Sequence, residues 1–381
     1  MLKWVQSGLS AVAGTAEPVY GPEAIHAITD SLAPGQNPYA DVEKADLEWR
    51  DLSFTNVETQ VFYLTLATGH VCFVQIILSN LAGIHTTSQF TCRIYHPDKP
   101  EESIWTSTHL NDYKISDDRV SFAADDLSVT LSEDLSTYTI KSDVNEKSIV
   151  DIKISRVAPG FKIGKDGVTK YGTDAEHPWG TMRHIFWPRA SVSGSLVANG
   201  VALPDISGTA MFVMALQGMK PQHCAARWNF ANFQGPTISA VMMEFTTPPS
   251  YGSKVVNIGC VVKGDKILAA TVENTAEHTK TLQDSENDWP APTEVKFEWK
   301  GTSPDTATPL DAVIAAPIPN LVERVDVMAE IPAFVKKIVA GVAGTKPYIY
   351  QYSNPADIKV TFGADVLEES GSLYNEATFI S

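Results

Sequence analysis

The segment spanning residues 176–189 (EHPWGTMRHIFWPR) holds the densest group of side chains that could do chemistry. With Arg183 beside them, His177 and His184 could act as general acid and base, because imidazole titrates near neutral pH. The two histidines are seven residues apart, which points them to opposite faces of one straight strand, and no third side chain has metal-ligand spacing. The hypothesis that we favour makes these side chains structural or ligand-lining. We therefore predict no metal site and no catalytic residue.

A second group of aromatic residues follows at residues 218–234, and its rings suit a core or a pocket wall better than a catalytic role. Together the two groups supply the predicted ligand-binding residues Trp179, Met182, His184, Phe186, Trp187, Trp228, Phe230 and Phe233. The chain has no GxSxG, Walker A or dinucleotide-binding glycine pattern. We therefore predict no cofactor.

The composition excludes partners that bind through positive charge. The 381 residues include 29 Lys+Arg and 45 Asp+Glu, which gives a net charge of −16. Nucleic-acid binding needs clustered Lys and Arg to neutralise phosphates, and simple electrostatic binding to anionic lipid has the same requirement. The length predicts two domains, and the 44% of hydrophobic residues can fill their cores.

The cysteines and the N-terminus indicate a reducing compartment, which we take to be the cytosol. The four cysteines are widely spaced and form no CxxC motif. Cys72 and Cys92 could face each other across a hairpin, but they are most simply small apolar strand residues. The N-terminus lacks a signal-peptide pattern, and no apolar run has the length of a membrane span.

From residue 57 onward, apolar and polar residues alternate with a period of two, which is typical of half-buried antiparallel strands. The first series of predicted strands ends at 209–217 and includes 181–187 and 191–197 as separate strands. The second series runs from 227–233 to 372–380. This pattern predicts an all-β chain of two tandem antiparallel barrels or sandwiches, and a closed barrel of about eight strands can hold one small ligand. The predicted segments are an N-terminal helix (1–18), a linker (19–54) and two β domains (55–218 and 219–381).

The first residues have the pattern of an amphipathic helix, with Lys3 as the one charged side chain among residues 1–16. Apolar insertion into a membrane suits this face better than attraction by charge. The predicted membrane-binding residues are Met1, Leu2, Trp4, Val5, Leu9 and Val12. The alternative is a helix that packs on its own domain, and the residues alone leave both open.

A second predicted helix begins near Glu330, with Pro332 in its first turn. Residues 331–356 contain three lysines and no acidic residue. The simpler interpretation is a helix that packs against a barrel mouth with its lysines in water. The alternative interpretation gives this helix a function, either as a second membrane contact or as a lid formed by Phe334, Val335 and Ile338.

Long stretches of the chain resemble the fungal survival factor family. They include MLKWVQ (1–6), HPWGTMRHIFWPR (177–189), MALQGMKP (214–221), WNFANFQ (228–234) and residues 322–352. The resemblance implies two lipocalin-like β-barrels in one chain and transfer of ceramide from the endoplasmic reticulum to the Golgi. It also implies roles in sphingolipid homeostasis and in survival under oxidative stress, and an acetylated N-terminal helix that reaches membranes. Some members carry a long acidic insertion where this chain has only residues 198–208.

The resemblance further implies a cytoplasmic protein that lies peripherally on endoplasmic reticulum and Golgi membranes, with the nucleus as a further location. We expect ceramide or a related sphingolipid as the ligand, reversible membrane contact, no nucleic acid and a monomer. Two other classes of function stay open. One is an enzyme of the hydratase or isomerase type that acts on an apolar lipid or terpenoid-like substrate, and the other is a stress-signalling scaffold without a ligand.

Overall fold

The chain forms two antiparallel sheets, one after the other along the sequence. A computed structural model describes residues 21–30, 32–33, 35–81, 83–219, 221–330 and 347–380. Every pair of neighbouring strands in the described ladders is antiparallel, and each sheet curls into a half-barrel. The prediction of an all-β, lipocalin-like fold is confirmed.

The first sheet is built from sixteen strands. They are β1 (Ile25–His26), β2 (Tyr39–Asp41), β3 (Asn56–Leu66), β4 (Val71–Leu81), β5 (His85–Tyr95), β6 (Ile104–His109), β7 (Lys114–Ile115), β8 (Phe122–Ala124), β9 (Leu127–Leu131), β10 (Thr137–Ser142), β11 (Ser148–Arg156), β12 (Phe161–Ile163), β13 (Val168–Tyr171), β14 (Gly180–Ala198), β15 (Val201–Ala202) and β16 (Gly208–Gln217). Its main path runs β6-β5-β4-β3-β16-β14-β11-β10-β9-β8-β7.

The second sheet is built from ten strands. They are β17 (Arg227–Gln234), β18 (Ile238–Thr246), β19 (Val255–Lys263), β20 (Lys266–Thr271), β21 (Glu273–Gln283), β22 (Pro290–Thr302), β23 (Pro309–Pro317), β24 (Leu321–Asp326), β25 (Tyr348–Phe362) and β26 (Asp365–Phe379). Its path runs β20-β19-β18-β17-β26-β25-β23-β22-β21, and β24 pairs with the first part of β25.

Helices are short in the described part of the chain. The 3₁₀ helices are Pro22–Ala24, Lys44–Asp46, Pro100–Glu102 and Pro249–Tyr251, and the α-helices are α1 (Pro221–Cys224) and α2 (Val327–Glu330). None of these helices has the length or apolar character needed to cross a lipid bilayer. The predicted membrane-binding residues near the N-terminus and the predicted lid residues Phe334, Val335 and Ile338 lie outside the described residues.

Three apolar cores follow from the alternation of the strands. In β11, for example, Ile152 and Ile154 are buried while Asp151 and Lys153 are exposed, as the period of two dictates. One core lies inside the first sheet and one inside the second. The third core joins the two sheets, because outward-facing residues of the first sheet pack on the second.

The structure differs from the sequence prediction at two places. The stretch predicted as a linker contributes β1 and β2 to the first sheet and buries Trp49, so its described residues pack against the sheets instead of forming a free tether. The strands predicted at 181–187 and 191–197 form the single strand β14. A bulge between Trp187 and Ala190 accommodates Pro188, so the strand continues through the proline.

Candidate functional site

The interior of the first sheet changes from charged to aliphatic along the strands β14, β16 and β3, which lie side by side. The register aligns their inward-facing residues into the rows Arg183–Leu216–Glu58, Ile185–Met214–Gln60 and Trp187–Phe212–Phe62. Beyond the bulge the next row is aliphatic, with Ala210, Leu64, Cys72, Ile94 and Ile104 on successive strands. The interior of the sheet is therefore polar at one end and mostly apolar at the other.

The charged end is held together by one buried carboxylate. Asp46 accepts a hydrogen bond from Lys162 Nζ at 2.5 Å and another from Arg183 Nη2 at 3.0 Å. All three side chains are buried. Burial lowers the pKa of the Arg183 guanidinium, whereas the nearby carboxylate of Asp46 raises it. Two cations that share one buried anion hold the 3₁₀ helix Lys44–Asp46 against β12 and β14.

Residues 43–53, which we call the strap, run across this charged end. Glu58 of β3 accepts hydrogen bonds from the backbone N–H groups of Arg50, at 2.8 Å, and Asp51, at 3.0 Å. From the β7–β8 turn, Arg119 donates to the backbone oxygens of Trp49 and Arg50. Burial raises the pKa of the Glu58 carboxyl, although the two N–H groups act in the opposite direction. The strap thus covers the end of the half-barrel and places the Trp49 ring on Phe122.

The interior of the first sheet holds a set of buried polar atoms that make no hydrogen bond to the described residues, except that the Tyr138 hydroxyl interacts with the Gln60 side chain. We call it the polar belt, and it consists of Trp49 Nε1, Gln60 Oε1, the Tyr138 hydroxyl and Trp187 Nε1. The Tyr138 ring lies 5.0 Å from the rings of Phe62, Trp187 and Phe212, and Gln60 lies beside its hydroxyl. A buried polar group without a partner costs about 1–3 kcal/mol, so two indole N–H groups and the Gln60 amide oxygen without one in the same interior require an explanation.

The bulge of β14 sets which side chains face this interior. Because Pro188 has no N–H and the register shifts there, Trp187 and Ala190 both face inward. Arg189 instead reaches the turn between β17 and β18, where it donates to Gly235 O, Pro236 O and Ser239 Oγ. In return, Gln234 Nε2 donates to Pro188 O at 3.1 Å. The bulge of β14 therefore directs the Trp187 side chain into the interior of the first sheet. It also directs Arg189 toward the second sheet, which joins the two sheets.

The predicted ligand-binding residues do not form one site. Trp187 lies in the interior of the first sheet, and Phe233 lies in that of the second. The core between the sheets takes most of the others, namely Trp179, Met182, Phe186, Trp228 and Phe230. His184 is buried next to Phe186, and burial lowers its pKa to about 4.

The histidine pair considered for acid–base or metal chemistry is separated, since His177 is exposed and binds Asp174. The described residues contain no group of three potential metal ligands. The sequence pattern did not single out Gln60, Tyr138 and Trp49. A signal was available for Gln60, because Glu58 and Gln60 share the phase of Phe62 and Leu64 in one strand.

The second sheet offers different chemistry. Two large side chains of its interior have hydrogen-bond partners in the protein. Trp299 Nε1 donates to Val241 O at 2.9 Å, and the Tyr350 hydroxyl donates to Asp284 at 2.8 Å. On its outer side, where β23 and β25 part, a groove of about 440 Å³ is lined by Val313, Ala315, Asp357, Ile358, Lys359, Glu368, Glu369 and Ser370. These mostly charged and polar walls do not suit acyl chains.

Comparison with known proteins gives matches over the whole chain. The model of the Svf1 family matches residues 2–381. The chain is 51% identical to "Ceramide-binding protein svf-1" of Neurospora crassa, 47% to "Ceramide-binding protein svf1" of Schizosaccharomyces pombe and 49% to "Ceramide-binding protein SVF1" of Candida albicans. Each of these alignments covers 100% of both chains.

Two solved structures share the fold. The crystal structure of a putative AttH from Nitrosomonas europaea aligns with a TM-score of 0.58 at 13% identity, over 92% of this chain and 99% of its own. The crystal structure of CghA aligns with a TM-score of 0.57 at 12% identity, over 86% of this chain and 89% of its own. At this level of identity the similarity is one of architecture alone.

Proposed function

The chain belongs to the Svf1 family, and from that premise we propose that it binds ceramide and carries it from the endoplasmic reticulum to the Golgi. This transfer would support sphingolipid homeostasis and survival under oxidative stress. The observation that carries the proposal is identity of nearly half or more, over the full length, to relatives that are named ceramide-binding proteins.

The architecture suits an apolar cargo. Each CH₂ group removed from water stabilises a complex by about 0.8 kcal/mol, so a free ceramide leaves a bilayer at a high cost. A carrier offsets this cost by enclosing the acyl chains. Both sheets of this chain curl around apolar side chains, and the first also encloses polar groups without partners.

We propose that membrane contact is made by the first 16 residues and is reversible. Their predicted apolar face, with Leu2, Val5 and Leu9, supplies insertion, and the near absence of charge leaves no strong attraction to anionic lipid. A net charge of −16 keeps the rest of the molecule away from anionic bilayers. A carrier with these properties would be cytoplasmic and bind the two membranes only briefly.

A transfer assay with purified protein tests the proposal. Donor liposomes contain ceramide, acceptor liposomes contain none, and the protein should move ceramide faster than spontaneous exchange. Replacement of Leu2, Val5 and Leu9 by Asp should abolish liposome binding and transfer while leaving the unfolding transition unchanged. The matched control replaces Ser7 and Ser10, which lie on the polar face of the predicted helix, by Asp. Transfer no faster than spontaneous exchange by the unaltered protein would overturn the proposal.

A further inference from the structure

Resting on the proposed function, we propose that the first sheet binds the ceramide headgroup at Trp49, Gln60, Tyr138 and Trp187, with the acyl chains toward the aliphatic end. This assigns the ligand to one of the two sheets and gives it a direction. The assignment stands on three observations, which are the unpartnered atoms of the polar belt, the gradient along the interior and the position of the strap.

The polar belt matches the headgroup in chemistry. Trp49 and Trp187 each present an indole N–H that can only donate, Gln60 presents an amide oxygen that can only accept, and the Tyr138 hydroxyl can do both. A ceramide headgroup has an amide with one acceptor and one donor, together with hydroxyl groups that do both. The indole N–H groups suit its carbonyl oxygen, and Gln60 and Tyr138 suit its N–H and hydroxyl groups.

The gradient of the interior sets the direction of the ligand. Gln60 lies one row from the charged end, and Trp187 lies in the following row beside Phe212 and Phe62. Most inward-facing side chains in the rows beyond the bulge are aliphatic, and they include Ile140, Ile152 and Leu196. Acyl chains placed there would contact mostly apolar side chains, with Ser142, Ser148 and Thr106 as the buried polar exceptions, while the headgroup would stay at the polar belt.

The strap marks the end through which the ligand passes. It covers the charged end through hydrogen bonds to Glu58 and Arg119 and carries Trp49 on its inner side. Displacement of this one segment would open the interior beside the polar belt. A lipid that inserts with its chains first would then stop with its headgroup at the strap, and Trp49 would return with the strap to cover it.

The second sheet lacks this combination. The polar atoms that are without a described partner in its interior include the amide oxygens of Asn257, Asn274 and Asn375, which only accept. Two of its buried aromatic side chains, Trp299 and Tyr350, already donate to protein groups. Among the described residues, a headgroup there would find acceptors but no unpartnered indole N–H for its carbonyl oxygen.

Ceramide binding by single variants tests the assignment. Tyr138→Phe removes one hydroxyl and should weaken ceramide binding about tenfold, the value of one good hydrogen bond. Gln60→Leu should weaken it by a similar factor. Tyr352→Phe makes the same change inside the second sheet and should leave the affinity unchanged. Because the Gln60 side chain is the polar neighbour that the structure gives the Tyr138 hydroxyl, Tyr138→Phe should stay folded, with a urea midpoint close to that of the unaltered protein.

A second ligand separates a direct contact from a disturbed core. Ceramide that lacks its C1 hydroxyl should bind the unaltered protein more weakly than ceramide, and one of the two belt variants should lose this discrimination. If the unaltered protein binds ceramide while both belt variants keep full affinity and full discrimination, the headgroup lies elsewhere and the assignment is overturned. If the unaltered protein does not bind ceramide at all, the proposed function itself fails.

Discussion

The Arg189 guanidinium of the first sheet donates a hydrogen bond to Ser239 Oγ of the second sheet, with 2.7 Å between the two atoms. The same guanidinium donates to the carbonyl oxygens of Gly235 and Pro236, so it holds the whole β17–β18 turn. The two half-barrels are therefore joined by directed polar contacts as well as by the apolar core between them.

Arg189→Met should lower the free energy of unfolding by about 2–4 kcal/mol, because buried acceptors lose a charged donor. Urea unfolding followed by tryptophan fluorescence measures this loss. Lys153→Met, on the exposed face of β11, is the control and should change the stability by less than about 0.5 kcal/mol. Equal stability of the two variants would show that the contact with the turn does not stabilise the protein.

The buried ion pairs of Asp46 should matter more than exposed ones. Asp46→Asn leaves Lys162 and Arg183 buried beside a neutral amide, and such an uncompensated charge destabilises by about 3–5 kcal/mol. Asp118→Asn removes a pair with Lys44 in which both side chains are 49% exposed, and should cost at most about 1 kcal/mol. Thermal unfolding of both variants compares them, and a cost for Asp46→Asn no larger than that for Asp118→Asn would contradict this account.

Acid should destabilise the protein through His184. Burial lowers the pKa of His184 to about 4 from an ordinary value near 6.5, so the folded protein holds this imidazole neutral. The associated stability is fully present above pH 6.5 and is lost as the pH falls toward 4, by up to about 3 kcal/mol. Unfolding measured at pH 7 and pH 4 should show a smaller difference for His184→Asn than for the unaltered protein.

The exposed His177 supplies the control for the pH experiment. Its side chain is 82% exposed, so His177→Asn should retain the full loss of stability between pH 7 and pH 4. The account fails if His184→Asn shows the same dependence on pH as His177→Asn.

The four cysteines should be unreactive in the folded protein. Cys72, Cys92, Cys224 and Cys260 are free thiols, all four are fully buried, and burial raises the pKa of Cys92 to about 12. A maleimide reagent at pH 7 should label none of them within an hour, and it should label all four in concentrated guanidinium chloride. Rapid labelling of the folded protein would show that its interior opens more readily than the structure indicates.

Alternation and turn residues were sufficient to predict most of the fold. Strand β3 begins at Asn56 and was predicted from 57, and β16 ends at Gln217 as predicted. The path of β14 could not be predicted, because Pro188 looks like a strand end unless the neighbouring strand is known to tolerate a bulge. The predicted linker failed for a similar reason, since Trp49 is buried by tertiary contacts with Phe122 and not by any local periodicity.

The candidate site was less predictable than the fold. Aromatic density singled out residues 176–189, but alternation along one strand sends Met182 and Phe186 to the core between the sheets and Trp187 to the interior of the first. The polar belt takes its members from the strap, β3, β10 and β14, which are far apart in sequence. Only the register of the sheet shows that Gln60 and Trp187 lie in neighbouring rows.

Native mass spectrometry of the protein purified from its own cells tests the central claim most directly, because one spectrum gives the mass and the stoichiometry of a bound lipid. We predict a fraction of molecules that carry one added mass equal to that of a cellular ceramide, and this fraction should decrease in Tyr138→Phe. A spectrum that shows only the mass of the polypeptide, or a bound lipid without the sphingoid amide, would contradict the claim.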